Sequence, residues 1–352
     1  MARTALLTGT PGALLEAIAS ALAAAGFAAR HVPTAADGSL RLEVPPGGAA
    51  AVIHVGLRSS RELSERARAE AEAAAAAGAA ELARDSGARR LVHVSSVSVY
   101  GTPRNLPCRE GELKAPRTAQ ERIRWQAEQA SWTAFRRGAP LTVLRPASIY
   151  GPTLRGGAVR ALSLFALLAP RGGRVPIVRR GPVAHLVHLE DVARAVAHVA
   201  SHPDDRDVIG RAFNVGDEAP LPLSEHLEPA LAALGYRPGR FFPTFPRLTA
   251  AALWLVRHVP DRVLLDPFNR RLEARWRALA ARTGTVPALS PRIDREALHW
   301  LAADHYYDTS RLAGIGWRAL HPVSTPSVAE TIRGLLAQRL LPGAGKGALP
   351  AW

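Results

Sequence analysis

The chain has 352 residues, 47% of them hydrophobic, which is enough for one large or two modest domains with a buried core. Its net charge of +15 comes almost entirely from arginine, since lysine occurs only at Lys114 and Lys346. No segment resembles a basic tail, and aromatic residues do not alternate with arginines along a strand, so we expect no nucleic-acid partner. The single cysteine, Cys108, excludes an intrachain disulfide and argues against a cysteine-based zinc site, and we predict no metal site.

Targeting signals are the next feature that the sequence can indicate. The N-terminus lacks the charged and apolar regions of a signal peptide. The longest apolar run, residues 248–256, is far shorter than the roughly 20 residues that span a bilayer. We therefore expect a cytoplasmic protein, and a peripheral position at the inner face of the membrane stays open.

The beginning of the chain predicts a phosphate-binding loop. Residues 4–8, Thr-Ala-Leu-Leu-Thr, are typical of a buried parallel strand, and residues 9–12, Gly-Thr-Pro-Gly, form a tight turn. An alanine-rich helix over residues 13–25 and a second strand over Phe27–Val32 follow. This order of strand, glycine turn and helix suits a phosphate group, because the helix N-terminus offers free N–H groups and the positive end of its dipole.

Residues 91–101 predict the floor of an active site. They read Leu-Val-His-Val-Ser-Ser-Val-Ser-Val-Tyr-Gly, a β-branched run that carries hydroxyl groups at its carboxyl end and stops at a glycine. In an open parallel sheet, ligands lie outside the carboxyl ends of the strands. The hydroxyl groups of this segment should therefore face a bound molecule.

Together these motifs resemble the extended short-chain dehydrogenase/reductase family, the NAD-dependent epimerases and dehydratases. The resemblance covers about residues 4–335 and is carried by the glycine loop and six further stretches: 52–56 (VIHVG), 91–101 (LVHVSSVSVYG), 144–152 (LRPASIYGP), 188–193 (HLEDVA), 213–216 (FNVG) and 307–317 (YDTSRLAGIGW). It implies an α/β fold, a Rossmann-type doubly wound parallel sheet with a smaller, mainly helical C-terminal substrate-binding region.

The resemblance also implies domain boundaries. Residues 1–152 would form the dinucleotide-binding domain. Residues 153–341 would form the substrate-binding region, with about 181–217 returning to the sheet and a helical insert at 244–301. Residues 342–352 would be a flexible tail.

An NAD or NADP cofactor is expected from the same resemblance. The implied contacts come from the glycine loop, from the ends of later strands and from one basic residue: Thr8, Gly9, Thr10, Pro11, Gly12, Arg30, His54, Val55, Gly56, Val94, Ser95, Pro146, Ala147, Ser148 and Ile149. The third glycine of the fingerprint is replaced by Leu15. The end of the second strand offers neither an acid for the ribose of NAD nor a base for the phosphate of NADP, and Arg30 is more commonly a surface residue there. Only a short strand over 40–44 fits before residue 52, so the adenosine half of the pocket should be trimmed.

The family's catalytic set is only partly kept. Its serine matches Ser96, while counting places the tyrosine and lysine positions at Gln120 and Arg124. Glutamine cannot act as a general acid or base, and arginine stays charged but can clamp an anion. The segment 117–132 is most similar to an atypical branch that also lacks the tyrosine–lysine pair. Tyr100, Tyr150 and Tyr306 are alternative sources of a proton.

The substrate side is predicted from residues after 150. Tyr150, Arg155, Arg160, His188 and Tyr306 are candidate substrate-binding residues, although arginines in this region are more commonly a solvated face. Apolar positions recur every three or four residues over 265–279, with arginines between them. Such a helix either packs on the substrate-binding region or faces a membrane, which would give peripheral contact through 248–282.

Three functions follow from these patterns. The first is an NAD(P)-dependent oxidoreductase or epimerase with a degenerate Tyr–Lys pair, acting on the carbonyl or hydroxyl of a hydrophobic, lipid- or sterol-like or biosynthetic small-molecule substrate. The second is a non-redox enzyme of the same fold, such as a cyclase, isomerase or lyase. The third is a catalytically silent nucleotide-binding or scaffold protein. Helices at about 61–86 and 117–137 match the pair that forms homodimer interfaces in the family, so a homodimer is expected.

Overall fold

The computed structural model describes residues 3–40, 44, 47–57, 63–156, 158–168, 174–178, 180–242, 254–255 and 258–343. The chain divides into two compact units. The first unit comprises Met1–Ala147, Leu189–Gly216 and Tyr307–Leu320, and the second comprises Ser148–His188, Asp217–Tyr306 and His321–Trp352.

Strands and helices alternate along much of the described chain. The strands are β1 (Arg3–Thr8), β2 (Phe27–Val32), β3 (Ala51–Val55), β4 (Arg90–Val94), β5 (Leu141–Pro146), β6 (Ser148–Tyr150), β7 (Arg174–Val178), β8 (Val183–Ala184), β9 (Leu186–His188), β10 (Arg211–Val215), β11 (Leu221–Pro222) and β12 (Arg237–Phe242). The α-helices are α1 (Ala13–Ala24), α2 (Glu65–Asp85), α3 (Ala119–Phe135), α4 (Ala158–Leu168), α5 (Leu189–Ser201), α6 (Leu223–Ala233), α7 (Leu265–Thr283), α8 (Arg295–Trp300), α9 (Ser310–Gly314) and α10 (Ser324–Ala337). Short 3-10 helices lie at Val97–Tyr100, Asp205–Asp207 and Pro287–Leu289.

The first unit is built on a six-stranded sheet in the order β10-β5-β4-β3-β1-β2, and every neighbouring pair of strands is parallel. Helix α1 packs against α5, and α2 packs against α3. Because right-handed crossovers leave β1 and β3 in opposite directions along the sheet, the two helix pairs cover opposite faces. Strands β3, β4 and β5 are buried along nearly their whole length, as expected between two helical layers. The predicted Rossmann-type doubly wound sheet is confirmed.

The connection from β2 to β3 is short. Among its described residues there is no helix, and Thr34 forms an isolated antiparallel bridge with Leu40. Residues 41–43 of the strand that the sequence predicts over 40–44 lie outside the described residues. The chain therefore runs from β2 to β3 without a helix in the described part of this connection.

Helix α3 begins with a strong local signal. Thr118 Oγ1 accepts a hydrogen bond from the Glu121 N–H at 3.2 Å, and the Glu121 carboxylate accepts one from the Thr118 N–H at 3.0 Å. This reciprocal capping box satisfies two N–H groups that would otherwise lack partners at the helix start. Because the cap fixes the residue at which α3 begins, it also fixes which later side chains share one face of the helix.

The second unit combines helices with three pairs of short strands: β6 with β9 and β7 with β12 in parallel, and β8 with β11 in antiparallel orientation. Leu272, Trp276 and Leu279 of α7 are buried in its hydrophobic core. Protein therefore covers the apolar face of this amphipathic helix, as expected for a helix packed on the substrate-binding region. The predicted apolar segment 248–256 lies outside the described residues except for Trp254 and Leu255. No helix in the described ranges is long and apolar enough to cross a membrane.

Candidate functional site

The loop after β1 is shaped by one glycine. Gly9 has a φ of +114°, and a Cβ at this position would overlap the carbonyl oxygen of Val55 in β3. Its N–H donates to Thr34 Oγ1 at 3.0 Å, and its carbonyl oxygen lies 3.0 Å from His31 Nε2. By contrast, a Cβ at Gly12 would meet no atom within 4 Å. Gly9 therefore closes the loop against β3, while Gly12 leaves open space before the N-terminus of α1.

A cavity of about 290 Å³ lies beside this loop in the first unit. The loop, the segment after β2, the end of β3 and the helices α2 and α3 all contribute to it. Its lining residues are Thr10, Thr34, Ala35, Ala36, Leu57, Leu63, Arg68, Ala71, Glu72, Gln120 and Ile123. Because three of these elements follow parallel strands, the cavity lies at the carboxyl edge of the sheet, where ligands bind in open α/β folds. We call this cavity the loop cleft.

Arg124 is positioned next to the loop cleft. A Cβ at Gly56, just after β3, would overlap Arg124 Nη1, so the guanidinium group lies directly against this glycine. The same Nη1 is 3.8 Å from Glu72 Oε1, and the Glu72 side chain is buried. Gln120 precedes Arg124 by one helical turn and therefore lies on the same face of α3. Gln120 and Arg124, which counting along the sequence places at the family's tyrosine and lysine positions, thus lie at and beside the loop cleft.

Ser96 is the second residue after β4 and is half-buried. Its Oγ accepts a hydrogen bond from the Ser98 N–H at 3.1 Å, which caps the 3-10 helix Val97–Tyr100. The neighbouring Ser95 instead donates to Glu128 Oε2 at 2.7 Å. Of the two adjacent hydroxyl groups, Ser95 is committed to the protein interior, and Ser96 stays at the partly exposed end of the strand.

Ser95 belongs to a buried network that extends across three strands. Arg145 donates to both carboxylate oxygens of Glu128, at 2.6 and 3.1 Å, and to Tyr100 Oη at 2.7 Å. Tyr100 donates in turn to Asn214 Oδ1 at 2.8 Å. Burial would raise the pKa of Glu128, but the charge and hydrogen bonds of Arg145 hold it below its usual value. We call Ser95, Tyr100, Glu128, Arg145 and Asn214 the buried network.

Tyr100 is fully committed to this network. Its side chain is 1% exposed, and its ring stacks on that of Tyr307 with centroids 5.8 Å apart. Burial raises the pKa of the Tyr100 phenol, and the Arg145 charge only partly offsets this effect. The phenol is therefore protonated at neutral pH and enclosed by protein groups of the first unit.

Two buried histidines lie in β3 and β4. Thr8 Oγ1 is 2.9 Å from His54 Nδ1, Ser131 Oγ is 2.6 Å from His93 Nδ1, and the two rings meet edge to face with centroids 5.1 Å apart. Burial, reinforced by the charge of Arg124, lowers the pKa of His93 to about 3 and lowers that of His54 well below its usual value. Both imidazoles are neutral at physiological pH, and His54, which resemblance assigns to the cofactor, is only 1% exposed.

The remaining candidate cofactor residues have varied surroundings. Arg30 is exposed in the middle of β2, opposite Leu6 in the register of the sheet. Pro11 is exposed in the loop, and Val94 is buried at the end of β4. Pro146 ends β5, and the Ala147 N–H donates to the Val215 carbonyl at 2.8 Å.

Candidate substrate residues lie in the second unit. Ser148 and Ile149, the last two candidate cofactor residues, also lie in this unit and pair with β9. The ring of the candidate substrate residue Tyr150 contacts that of His188, with centroids 5.2 Å apart. His188 also packs on His321, with centroids 3.9 Å apart. Arg155 donates to the carbonyl groups of Pro152 and Leu154 and to Gln338 Oε1, while Arg160 (in α4) and Tyr306 are half-buried. Arg155 is thus held by the unit's own polar atoms.

Several residues of the loop cleft escaped the reasoning from sequence. Thr34 holds the Gly9 N–H, and Glu72 is the partner of Arg124. A signal for Glu72 exists in the sequence, since it is an acid on the otherwise alanine-rich face of α2. Arg68 and Ile123 carry no such signal, because only the packing of α2 against α3 brings them to the cleft.

A parallel sheet with a glycine loop and a cleft at its carboxyl edge defines a Rossmann-type nucleotide-binding fold. The model of the NAD dependent epimerase/dehydratase family matches residues 39–216, and the chain belongs to this family. The match begins after β2, so it includes β3, α2, β4 and α3 but not the glycine loop. A search of curated proteins finds no match.

Solved structures agree with this fold. A UDP-galactose 4-epimerase superposes with a TM-score of 0.65 at 17% identity, covering 95% of this chain and 99% of that one. The structure of MoeE5 in complex with UDP-glucose and NAD has a TM-score of 0.63 at 18% identity, covering 95% of this chain and 99% of that one. The human epimerase family protein SDR39U1 with NADPH has a TM-score of 0.59 at 15% identity, covering 93% of this chain and 99% of that one. At these identities the likeness concerns the fold.

Proposed function

We propose that the loop cleft binds NAD or NADP and that the chain is an NAD(P)-dependent oxidoreductase or epimerase acting on a small-molecule carbonyl or hydroxyl. The observation that carries this proposal is the loop itself. Gly9 adopts a backbone conformation that closes the loop on β3, and open space lies at Gly12 in front of the α1 N-terminus. The free N–H groups of that helix end suit a diphosphate. The residues present therefore fit the phosphate part of a dinucleotide.

The adenosine end of the cofactor would meet Thr34, Ala35 and Ala36 after β2. The described residues Thr34, Ala35 and Ala36 after β2 include no acid at the position of the usual partner of the ribose hydroxyls of NAD, and the one acid in the lining, Glu72, comes from α2 and contacts Arg124. Arg68 lines the same cleft, and a guanidinium group favours the additional phosphate of NADP. These features support a preference for NADP over NAD.

The reacting groups would be those after β4 and on α3. A bound nicotinamide would supply the redox chemistry. Ser96 would donate a hydrogen bond to the substrate carbonyl, and Arg124 would supply a fixed positive charge where the family has lysine. Gln120 cannot exchange a proton, and Tyr100 is enclosed in the buried network. A proton would therefore come from water rather than from either residue.

A second candidate is a nucleotide-binding protein without redox turnover, either a non-redox enzyme or a silent subunit. Two features favour it. Arg124 faces the buried Glu72, so its charge is directed at a protein acid. Position 120 is a glutamine, so no phenol is present there whose pKa Arg124 could lower. This alternative predicts that the protein binds a nucleotide but transfers no hydride.

Calorimetric titration with NAD⁺, NADH, NADP⁺ and NADPH tests the proposal. We expect micromolar binding of an NADP form and loss of that binding in Ala36→Trp, which fills the adenosine end of the loop cleft. Ala24→Trp, at the exposed last residue of α1 and the opposite edge of the sheet, is the matched control. No binding of any of the four at millimolar concentration would overturn the proposal, whereas binding without redox turnover of carbonyl substrates would favour the second candidate.

The homodimer, the cytoplasmic location and the peripheral membrane contact stay predictions. An exposed groove between α2 and α3, lined by residues such as Arg66, Ala69 and Ile123, is available for a second copy. The covered apolar face of α7 offers no support for membrane contact through that helix. Analytical ultracentrifugation that shows only monomer at micromolar concentration would remove the homodimer.

A further inference from the structure

A second cavity of the first unit lies on another face of α3, beside the edge strand β10. It has a volume of about 600 Å³ and shares no lining residue with the loop cleft. Two tryptophans and five cationic side chains line it: Trp125, Trp132, Lys114, Arg145, Arg206, Arg211 and Arg311. Arg145 is paired with Glu128. We call this cavity the basic groove.

The positive charge of the basic groove is only partly neutralised. Among the described residues, Lys114, Arg206 and Arg211 form no ion pair. Arg311 lies 3.6 Å from Glu110, the acid that lines the groove. An excess of cations over anions in a cavity attracts an anionic ligand.

Two of these cations are held in place by the backbone. The Lys114 ammonium donates to the carbonyl groups of Glu110 and Glu112 at 2.7 and 2.6 Å. Arg211 Nε donates to the Arg206 carbonyl at 3.0 Å, which orients its guanidinium group. Burial, together with the charge of Arg145, lowers the pKa of Lys114 to about 8, and the nearby Glu128 and Glu110 only partly offset this effect. Donors held in this way lose little freedom when a ligand arrives.

The tryptophans form an apolar wall. Trp125 and Trp132 are seven residues apart on α3 and therefore lie on one face of the helix. The Trp132 indole N–H donates to Glu128 Oε1 at 3.0 Å, and its ring meets Phe135 edge to face, which fixes its orientation. Both rings are half-buried. A ligand in the groove can thus contact flat apolar surface as well as charge.

The backbone of the edge strand is already occupied. The Asn214 N–H donates to Glu110 Oε1 at 3.1 Å, and the Ala212 carbonyl accepts from Arg311 at 3.3 Å. These bonds take two of the groups through which an added peptide strand would pair with β10. Recognition in the basic groove therefore depends on side chains, which favours a small anion over an extended peptide.

We propose that the basic groove is a second ligand site of the first unit, for a phosphate-bearing small molecule with a planar ring. Arg206 and Arg211 bind the phosphate groups, Lys114 adds charge at the inner end, and the ring lies against Trp125 or Trp132. Arginine forks match phosphate oxygens in geometry as well as charge, and indole rings stack on planar ligands. Because α3 borders both cavities, a ligand here contacts the helix that carries Gln120 and Arg124.

Calorimetric titration with inorganic pyrophosphate and with ADP tests this site. We expect both to bind wild-type protein, and affinity to fall about tenfold or more in Arg206→Ala/Arg211→Ala, since two charge-assisted contacts are lost. Arg66→Ala/Arg84→Ala removes the same charge from exposed sites on α2, which does not line the basic groove, and should change affinity less than twofold. Trp125→Phe should reduce fluorescence quenching by ADP but leave pyrophosphate affinity unchanged.

Three outcomes would overturn the proposal: no binding of either probe at millimolar concentration, an equal loss in the two double variants, or loss of ADP binding in Ala36→Trp. The last outcome would assign the anion to the loop cleft. Circular dichroism of each double variant checks that the fold is kept. Both probes carry a diphosphate, which would also suit the glycine loop, so NADP serves as the second readout. Arg206→Ala/Arg211→Ala should lose affinity for the probes and keep its affinity for NADP, and an equal loss for NADP would contradict a separate site.

Discussion

The buried network and the loop cleft border the same helix but are built in opposite ways. In the buried network, Glu128 is 0% exposed and has three donors: Ser95, Trp132 and Arg145. In the loop cleft, Glu72 is also buried, but its Oε2 has no hydrogen-bond partner among the described residues, and its Arg124 contact is as long as 3.8 Å. One acid is fully satisfied and the other is not.

This difference separates stability from binding. A fully bonded buried ion pair holds a unique arrangement of strands, and breaking it leaves an uncompensated charge. A buried carboxylate oxygen that lacks a partner leaves capacity for a donor from a ligand or a water. We therefore expect changes in the buried network to lower the free energy of unfolding and changes at the loop cleft to lower affinity.

The largest expected effect is that of Arg145→Met. Loss of the guanidinium group leaves Glu128 charged and buried, which should lower the free energy of unfolding by about 3–5 kcal/mol. Urea denaturation followed by circular dichroism measures it. Arg66→Ala, which breaks the exposed pair with Glu70, is the control and should cause no measurable change. A loss similar to that of the control would mean that the network does not hold the sheet together.

Gly9→Ala should have the next largest effect. The positive φ and the overlap with the Val55 carbonyl predict a loss of about 2–4 kcal/mol in the free energy of unfolding, together with loss of nucleotide binding. Gly12→Ala is the matched control, because its backbone is extended and its Cβ would enter open space. It should fold like the wild type. Equal stability of the two variants would contradict the role given to Gly9.

Tyr100→Phe should separate the two regions directly. Removing the phenol oxygen leaves Arg145 and Asn214 each without one buried partner, at a cost of about 1–3 kcal/mol in the free energy of unfolding. Nucleotide affinity should be unchanged. Ser96→Ala should reduce turnover and should cost less stability, about 1 kcal/mol, because it removes only the cap of the 3-10 helix. A turnover rate that falls in Tyr100→Phe while its stability is kept would return Tyr100 to the candidate acids.

The smallest effect concerns pH. Because the folded-state pKa of His93 is lowered to about 3, the unfolded chain binds more protons than the folded protein between about pH 3 and 6.5. The stabilisation is complete above pH 6.5 and is lost as the pH falls, by about 1 kcal/mol for this histidine between pH 6.5 and 5.5. Urea denaturation at several pH values should show a shallower decline in His93→Gln. Parallel pH profiles for the two proteins would contradict this assignment.

The sequence by itself determined the features that are local in the chain. The first strand, the glycine loop and α1 follow from an apolar run, a turn and a helical pattern within residues 4–25, and the structure has β1 at Arg3–Thr8 and α1 at Ala13–Ala24. The capping box of Thr118 and Glu121 also lies within one turn of helix. The fold class was predictable because such motifs occur in a fixed order, and parallel strands joined by helices have few arrangements.

Only the tertiary structure decided which side chains meet. Tyr100 bonds to Asn214, 114 residues away, because β10 lies beside β5 at the sheet edge. Lys114, Arg211 and Arg311 come from three separate segments and meet in the basic groove for the same reason. Periodicity reports which face of an element is apolar but carries no information on the order of the strands. The satisfied state of Glu128 and the open state of Glu72 depend on that order, and so do the roles proposed for them.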